Sequence, residues 1–269
     1  MEKFSLITGA TGGLGKAFVL ECAMKGDNLI LTGTNQTKLD NITNEVKKDF
    51  PNIKVLSKTC DLSLSESRDE FFRFLDENEV EINFLVNNAG YIIEGEFLSH
   101  NDEEIIKAIR VNCEGTVDMT QRVIKRRNLE EKLNIITVSS MAGYYPMPYM
   151  AIYAGTKALL KNLMIALNKE MKGKNVYITT VCPSGIPTTD AMKEAIKSQG
   201  VAGKMTACSP EKIAKISMKA SKKHKVVVVP KTINKLIVVL SGIVGDKGLA
   251  RITGRMWKKS QDKRGFKGE

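Results

Sequence analysis

The segment FSLITGATGGLG, residues 4–15, decides the fold because it joins a short apolar strand to a glycine-rich turn. The predicted strand covers Phe4 to Thr8, and apolar residues then recur with helical period from Leu14 to Cys22. Such a turn can hold a phosphate, because glycines let the backbone approach the ligand and the helix end offers free N–H groups. The first gap between the glycines at 9, 13 and 15 is wider than in the G-x-G-x-x-G pattern. A plain connector is the alternative, but the position at the first strand-to-helix turn favours nucleotide binding.

The rest of the chain alternates predicted strands and helices at the spacing of βαβ units. We predict further strands over residues 28–32, 53–60, 83–86, 133–139, 176–182 and 225–229, and helices over 39–50, 64–78, 101–127, 152–171 and 210–220. The alternation predicts an α/β fold with a doubly wound parallel sheet of about seven strands and helices on both faces. We find no repeat and no low-complexity linker, so residues 1–269 are expected to form a single domain.

The composition is that of a soluble globular protein, with 269 residues of which 42% are hydrophobic and 26% charged. The two histidines, His100 and His224, have no metal-like spacing to other ligand residues, and we expect no metal site. The chain starts with a predicted strand, which leaves no room for a signal peptide. The cysteines are odd in number and form no C-x-x-C pair, which favours reduced thiols in a cytoplasmic protein; they are Cys22, Cys60, Cys113, Cys182 and Cys208.

The positive charge of the chain is concentrated near its C-terminus. Residues 219–269 hold 14 Lys/Arg and three Asp/Glu, whereas the other 218 residues hold 27 of each. The basic character therefore belongs to a C-terminal extension, residues 231–269. A cationic helix that carries Trp257 can lie on an anionic membrane surface, but packing beside a substrate cleft and a solvated end are simpler explanations, and we favour them. Nucleic-acid binding is not expected, because no base-reading motif accompanies the charge.

A second informative stretch is SSMAGYYPMPYMAIYAGTK, residues 139–157. It combines the end of a predicted strand, an aromatic and proline-rich loop, and the start of a helix. Tyr153 and Lys157 are four residues apart and therefore lie on one helix face, and a loop can return Ser140 to the tyrosine hydroxyl. Lowering a phenol pKa from about 10 to about 7 needs roughly 4 kcal/mol, which an ammonium about 4 Å away can supply against the cost of desolvation. The group is suited to proton transfer to a ketone oxygen, although a Tyr-x-x-x-Lys pair alone also arises by chance.

The end of the second predicted strand bears on the choice of nucleotide. An acidic residue at this distance past the glycines would hold the ribose 2′-hydroxyl of NAD. Gly33, Thr34 and Asn35 stand here instead, followed by Lys38. A 2′-phosphate would meet no repulsion, so NADP(H) is favoured over NAD(H), although the arginine that would bind this phosphate is also missing.

These motifs occur together in the order found in the short-chain dehydrogenase/reductase family, which the chain resembles over about residues 3 to 190. They are TGATGGLG, Asp61-Leu62, the NNAG turn at 87–90, Asn112, Ser140, the Tyr153/Lys157 pair and PSGIPT at 183–188. Ser184 replaces a glycine of the family pattern, which puts the shape of that last loop in question. The resemblance implies a single-domain Rossmann fold, NAD(P) as cofactor, and oxidation or reduction at a CH–OH group.

The resemblance also implies a role for each matching residue. Tyr153 would exchange a proton with the substrate oxygen, Lys157 would lower its pKa and hold the nicotinamide ribose, Ser140 would position the substrate oxygen, and Asn112 would anchor a water in the proton relay. The cofactor would be contacted by the glycine turn (Gly9, Thr11, Gly13, Leu14, Gly15), the end of the second strand (Gly33, Thr34, Asn35), Asp61 and Leu62, the NNAG turn (Asn88, Ala89, Gly90), Tyr153 and Lys157, and the last loop (Pro183, Ile186, Thr188).

The substrate is less well determined. The loop MAGYYPMPYMAI, residues 141–152, is apolar or amphipathic and suits a flat or long hydrophobic ketone better than a polyol. The resemblance favours a hydroxysteroid or bile acid; a 3-oxoacyl or other lipid ketone reductase at a membrane surface and a non-catalytic NADP-binding regulator are alternatives. Residues 191–209 are interpreted as a partly helical lid, with an ordinary surface excursion as the alternative. By analogy with the family, a homodimer or homotetramer paired through helices 101–127 and 152–172 is expected.

Overall fold

The computed structural model of the chain describes residues 2–265, so Met1 and the last four residues of the predicted extension 231–269 lie outside the described part. Seven strands form one sheet: β1 (Glu2–Thr8), β2 (Asn28–Gly33), β3 (Val55–Thr59), β4 (Val80–Asn87), β5 (Leu133–Val138), β6 (Val176–Val181) and β7 (Val227–Val228). The helices are α1 (Gly13–Met24), α2 (Gln36–Asp49), α3 (Ser65–Glu77), α4 (Asp102–Ile109), α5 (Thr116–Arg126), α6 (Ala151–Glu170), α7 (Asp190–Ser198), α8 (Gly200–Thr206), α9 (Pro210–Lys222), α10 (Thr232–Val244) and α11 (Asp246–Lys263).

All strand pairs are parallel, and the strand order is β3-β2-β1-β4-β5-β6-β7. The chain winds outward from β1 in one direction through β2 and β3, and in the other from β4 to β7. Loops therefore diverge at the carboxyl ends of β1 and β4, where open α/β sheets bind ligands. The structure confirms the predicted doubly wound, seven-stranded Rossmann fold.

Alternate residues of the central strands enter two separate apolar layers. In β1, Ile7 packs with residues of α1, α2 and α9, whereas Leu6 packs on the opposite face with residues of α3, α5 and α6. Phe18 and Phe71 are fully buried in these two layers, one in each. Because both faces of the sheet are covered, the central strands β1, β4, β5 and β6 are buried along most of their length, as expected for a parallel sheet.

Helix starts follow local sequence signals. The Asn35 side chain accepts a hydrogen bond from the Lys38 N–H and caps α2, and Ser209 caps α9 immediately before Pro210 at its first turn. Asn101 and Glu104 form a capping box at the start of α4. Each of these side chains satisfies a backbone N–H that has no partner inside the helix.

The predicted helix 101–127 is present but interrupted. A π-helical segment, Arg110–Gly115, lies between α4 and α5. The predicted strand 225–229 is also shorter than expected, because only Val227 and Val228 pair with β6. The predicted lid 191–209 is almost entirely helical, as α7 and α8. Within residues 2–265, none of the helices is long and apolar enough to cross a membrane.

Candidate active site

A cleft of about 550 Å³ opens at the carboxyl ends of β1, β4 and β5. Most of the residues predicted to bind the cofactor line it: Gly9, Thr11, Gly13, Leu14, Gly15, Gly33, Thr34, Asp61, Leu62, Asn88, Ala89, Gly90, Tyr153, Lys157, Pro183, Ile186 and Thr188. Ser140 lines the same cleft. The topology thus brings together segments that are up to 179 positions apart in sequence, from Gly9 to Thr188.

Asn35 is the one predicted cofactor residue that the structure places outside the lining of the cleft. Its side-chain oxygen is 2.9 Å from the Lys38 N–H and is occupied in capping α2. A direct cofactor contact by the Asn35 side chain is therefore not supported, because capping directs this side chain to its own helix.

The glycine turn can pack against its neighbours only because its glycines lack side chains. Gly9 has φ +63°, and a Cβ there would lie 2.9 Å from Ala89 Cα. A Cβ on Gly15 would lie 2.0 Å from the Gly9 carbonyl oxygen, and one on Gly13 would lie 2.8 Å from Thr188 Cγ2. The turn leads directly into α1, whose first N–H groups have no partners within the helix. These residues fit the pyrophosphate of a dinucleotide.

The NNAG turn is fastened to the glycine turn by side-chain hydrogen bonds. Thr8 Oγ1 accepts from the N–H groups of Asn88 at 3.0 Å and Ala89 at 3.1 Å. Asn88 Nδ2 in turn donates to the carbonyl oxygens of Thr8 and Gly9, both at 3.1 Å. The amide nitrogen of Asn88 thus holds two loops of the cleft together, and its ribose-binding role remains a prediction.

Ser140, Tyr153 and Lys157 lie together at the centre of the cleft. The Ser140 side chain faces the Tyr153 phenol and acts to lower its pKa, and the Ser140 Oγ accepts from the Ala142 N–H at 3.1 Å. Lys157 Nζ lies 5.7 Å from the centroid of the Tyr153 ring and donates to the Val138 carbonyl oxygen at 3.0 Å. The three side chains that the sequence groups together therefore lie together in the cleft, with the ammonium near the phenol ring.

The electrostatics of this group differ from the expectation. Burial raises the pKa of Tyr153, and the hydrogen bond from Ser140 offsets this only in part. Burial also lowers the pKa of Lys157 to about 8, although the nearby Cys113 and Cys182 raise it. The predicted lowering of the Tyr153 pKa is thus not produced by the protein side chains alone, because desolvation outweighs the effect of the Ser140 hydroxyl.

Asn112 lies in the π-helical segment and is completely buried behind the cleft. Its Oδ1 accepts from the Tyr91 N–H at 2.7 Å, and its Nδ2 donates to the Tyr91 carbonyl oxygen at 2.9 Å and to Thr156 Oγ1 at 3.1 Å. Both amide hydrogens are therefore used in fixing the segment after β4 to α6. A water anchored by Asn112 would have to use its backbone or the second lone pair of Oδ1.

Ser184, where the family pattern has glycine, has a structural function in this chain. Its hydroxyl donates to the carbonyl oxygen of Thr206 and accepts from Asn234 Nδ2 at 3.1 Å. These contacts connect the loop after β6 to α8 and α10. The loop still places Pro183, Ile186 and Thr188 in the cleft.

A second cavity, of about 380 Å³, adjoins the cleft at Ser140 and Tyr153. Its walls come from the aromatic loop before α6 and from α7, α8, α10 and α11. The lining is predominantly apolar and includes Tyr145, Met147, Met150, Ile196, Ile237, Leu240, Leu249, Ile252, Met256 and Trp257. The cavity is therefore suited to a ligand with a largely apolar body.

The sequence model of the short chain dehydrogenase family matches residues 3–200. The chain belongs to the short-chain dehydrogenase/reductase (SDR) family. Members of this family are oxidoreductases that act on CH–OH groups, and their fold binds NAD(P).

The curated relatives of this SDR protein include very-long-chain 3-oxoacyl-CoA reductases. That of Coccidioides immitis is 34% identical over 182 residues, covering 66% of this chain and 52% of the relative. That of Neurospora crassa is 34% identical over 200 residues, covering 70% of this chain and 60% of the relative. The chain thus spans about half to three-fifths of the length of these relatives.

Among solved structures, a 7β-hydroxysteroid dehydrogenase has the same fold, with a TM-score of 0.83 and 22% sequence identity. The superposition covers 94% of this chain and 96% of that chain. It therefore extends beyond the family-matched residues into the C-terminal helices.

Several residues of the site were not predicted from sequence. Thr8 and Gly12 lie within the glycine motif and could have been included from it, whereas Lys107 and Met192 line the cleft without any motif around them. Most of the wall that α10 and α11 supply to the apolar cavity was also missed. The only sequence signal for this wall was the apolar run of residues 232–244 followed by Trp257.

Proposed function

We propose that this SDR protein is an NADP(H)-dependent reductase of the ketone of a long or flat apolar molecule, with the corresponding secondary alcohol as the product. The observation that carries the proposal is the apolar cavity that ends at the hydroxyls of Ser140 and Tyr153. A ketone whose oxygen reaches these two hydroxyls has its hydrophobic body in that cavity.

The residues of the chain supply binding, orientation and the proton. Ser140 donates a hydrogen bond to the carbonyl oxygen, which orients the ketone, and Tyr153 transfers its proton to the same oxygen as the charge there develops. The ammonium of Lys157, buried beside the phenol, stabilises the phenolate that remains. A bound nicotinamide supplies the hydride. Since burial raises the Tyr153 pKa, the phenol stays protonated near neutral pH and is suited to act as an acid in ketone reduction.

The preference for NADP(H) is supported by the end of β2. Gly33 and Thr34 line the cleft there, and neither carries a carboxylate that would repel a 2′-phosphate. Titration of the protein with NADPH and NADH in a calorimeter tests this directly. Tighter binding of NADPH is expected, and equal or tighter binding of NADH would reject the preference.

Among apolar ketones, we favour a 3-oxoacyl chain over a steroid. The curated relatives that support this choice share 34% identity with the chain, whereas the hydroxysteroid dehydrogenase is similar at 22% and shows the fold alone. A hydroxysteroid or bile acid remains the second candidate, because the cavity walls are predominantly apolar. A panel of 3-oxoacyl thioesters, steroids and bile acids, assayed with NADPH and NADH, distinguishes the two by the ratio of kcat/KM.

The catalytic role of Tyr153 is tested with Tyr153→Phe, which removes only the hydroxyl. We expect turnover to fall by at least about 10³-fold while NADPH binding is retained, because the phenol contributes the proton and little of the cofactor site. Tyr177→Phe is the matched control, since Tyr177 stacks on His224 away from the cleft. Substantial activity in Tyr153→Phe would refute the assignment of the acid. NADPH binding without oxidation in the presence of any ketone would instead indicate a non-catalytic binding protein.

Other aspects of the proposal concern the whole protein. We propose that α7 and α8, which cover the apolar cavity, move as a lid over the substrate, and that the protein is cytoplasmic.

We also propose a homodimer or homotetramer paired through α4, α5 and α6. Support for this pairing is the set of exposed apolar side chains on these helices: Ile106, Ile109, Val117, Leu159 and Ile165.

A further inference from the structure

Helix α10 carries a continuous apolar stripe on its outer face. Leu236, Val239, Leu240, Ile243 and Val244 recur at helical spacing and are all exposed, with Val239 at 65% and Ile243 at 78%. The inner face of the same helix is used for packing, where Asn234 and Ser241 are buried. A soluble helix normally turns polar residues outward, so this face has the pattern of an interaction surface.

The stripe adjoins the mouth of the apolar cavity. Four residues line the cavity and are also exposed at the surface: Leu240 and Val244 of α10, and Ile252 and Met256 of α11. On the facing helix α8, Val201 and Met205 are exposed as well. The entrance to the substrate cavity is therefore surrounded by apolar side chains that no other element in residues 2–265 covers.

Exposed cations flank these apolar side chains. Lys235 lies one helical turn from Val239, and Arg255 and Lys259 lie on the face of α11 that carries Ile252 and Met256. In α8, Lys204 lies between Val201 and Met205. Across α8, α10 and α11 the acidic residues are Asp246 and Asp262 only, so the surface around the mouth is strongly cationic.

The charge distribution decides between two occupants of this surface. In a symmetric pair of copies, the same surface would face itself, and the cations around one mouth would approach those around the other. Such a pairing would also close both cavity entrances. An anionic lipid bilayer has neither difficulty, because its head groups attract lysines and arginines while its acyl region accepts an apolar stripe.

We propose that the apolar stripe of α10, with the adjoining exposed residues of α8 and α11, is a docking surface for an anionic membrane. In this arrangement the cavity mouth faces the lipid, and an apolar substrate passes from the bilayer to Tyr153 without crossing water. The part concerning substrate entry rests on the proposed function. The binding itself does not, and it is measured without turnover.

The test is flotation of the full chain with vesicles of phosphatidylcholine alone and of phosphatidylcholine with 30% phosphatidylglycerol. We expect binding to the anionic vesicles, weakening with added salt, and less binding to the neutral ones. Val239→Asp/Ile243→Asp is the informative variant, because these two side chains are exposed and do not line the cavity. It should weaken vesicle binding by about 30-fold or more, since two apolar groups are lost and two negative charges are added.

The matched control is Met24→Asp/Leu129→Asp, which makes the same charge change at two exposed apolar residues before the amino ends of β2 and β5, outside the cavity lining. It should bind anionic vesicles like the unchanged protein. NADPH affinity should be the same in all three proteins, which shows that each is folded.

Three results would overturn the proposal: no vesicle binding by the unchanged protein, equal binding by the α10 variant, or equal loss of binding in the control. A fourth result would also overturn it: neither the unchanged protein nor the α10 variant binds vesicles, and the α10 variant has a smaller molar mass than the unchanged protein in sedimentation velocity. This result would assign the stripe to contacts between copies of the chain. Loss of turnover in Tyr153→Phe has no bearing on any of these outcomes, so the two proposals fail separately.

Discussion

The ammonium of Lys157 is only 4% exposed, and loss of water around the charge lowers its pKa to about 8. A lysine in the unfolded chain titrates near 10.5, so the unfolded state binds more protons between these two pH values. Holding the charged form in the fold therefore costs about 3 kcal/mol below pH 8, and this cost disappears as the pH rises toward 10.5. The proposed mechanism requires the same charge that the fold disfavours.

Replacing this ammonium should consequently stabilise the protein while removing its activity. We expect Lys157→Met to raise the free energy of unfolding by about 1–2 kcal/mol at pH 7, because relief of desolvation exceeds the cost of leaving the Val138 carbonyl unpaired. The gain should shrink above about pH 8 and be absent near pH 10.5. Urea unfolding at several pH values measures this, with Lys169→Met, an exposed position of the same helix, as the control. A destabilised Lys157→Met protein at pH 7 would contradict the argument.

The cofactor preference can be tested at one residue of the cleft. Thr34 lines the cleft directly after β2, so Thr34→Asp introduces a carboxylate where a 2′-phosphate would lie. We expect the ratio of NADPH to NADH affinity to fall by about tenfold or more, measured by calorimetric titration. Asn35→Asp adds the same charge on a side chain that keeps its capping role outside the cleft lining, and its effect should be clearly smaller. Equal effects would mean that Asn35 does contact the nucleotide, as the sequence predicted.

At the scale of single elements, two glycines of the turn between β1 and α1 differ in whether they can accept a side chain. A Cβ on Gly15 would overlap the Gly9 carbonyl oxygen at 2.0 Å, whereas a Cβ on Gly12 would lie 3.5 Å from that oxygen, with an ordinary φ of −76°. We expect Gly15→Ala to lower the free energy of unfolding by about 3 kcal/mol and Gly12→Ala to change it by less than about 1 kcal/mol. Urea unfolding of both variants without nucleotide checks this, and similar stabilities would show that the turn is loosely packed.

Elements with strong local signals were predicted from the sequence, and those set by tertiary contacts were not. The strand and turn of residues 4–15 could be predicted because a short apolar run followed by closely spaced glycines is compatible with few other local structures. The π-helical segment at Arg110–Gly115 has no local signal, because it depends on the Asn112 amide meeting the Tyr91 backbone 21 positions earlier. A period of 3.6 residues predicts a helix here but cannot indicate one extra residue in a turn.

In the candidate site, too, the features set by local sequence were predicted and those set by tertiary contacts were not. Ser140, Tyr153 and Lys157 were found because their spacing on one strand, loop and helix is fixed by local geometry. The raised pKa of Tyr153 could not be predicted, since it depends on how completely the surrounding elements exclude water. The start of α2 likewise decided the role of Asn35. An asparagine can serve as a ligand contact or as a helix cap, and only the backbone geometry distinguishes the two roles.

At the scale of the whole molecule, the C-terminal helices complete the site that the Rossmann sheet begins. Trp257 of α11 is 8% exposed and packs with Met147, Met150 and Ala154, next to the loop and helix that hold Ser140 and Tyr153. The Glu94 carboxylate, in the segment after β4, forms an ion pair with Arg264 near the end of α11. The part of the basic extension within residues 231–265 is thus a wall of the candidate active site. Packing beside the substrate cleft, one of the explanations favoured from sequence, accounts for its inner face.

This dependence predicts how loss of Trp257 will affect the enzyme. Trp257→Ala removes the largest side chain that α11 buries, so α11 should separate from the aromatic loop and open the apolar cavity. We expect KM for the apolar ketone to rise at least about tenfold while NADPH affinity is unchanged, because Trp257 does not line the nucleotide cleft. The KM of Trp257→Phe should lie between the values of the unchanged protein and of Trp257→Ala. The phenyl ring keeps part of the packing, and within residues 2–265 the indole Nε1 has no hydrogen-bond partner to lose. Steady-state kinetics with NADPH titration measures both quantities. An unchanged KM in Trp257→Ala would show that the sheet and its own loops bind the substrate without the C-terminal helices.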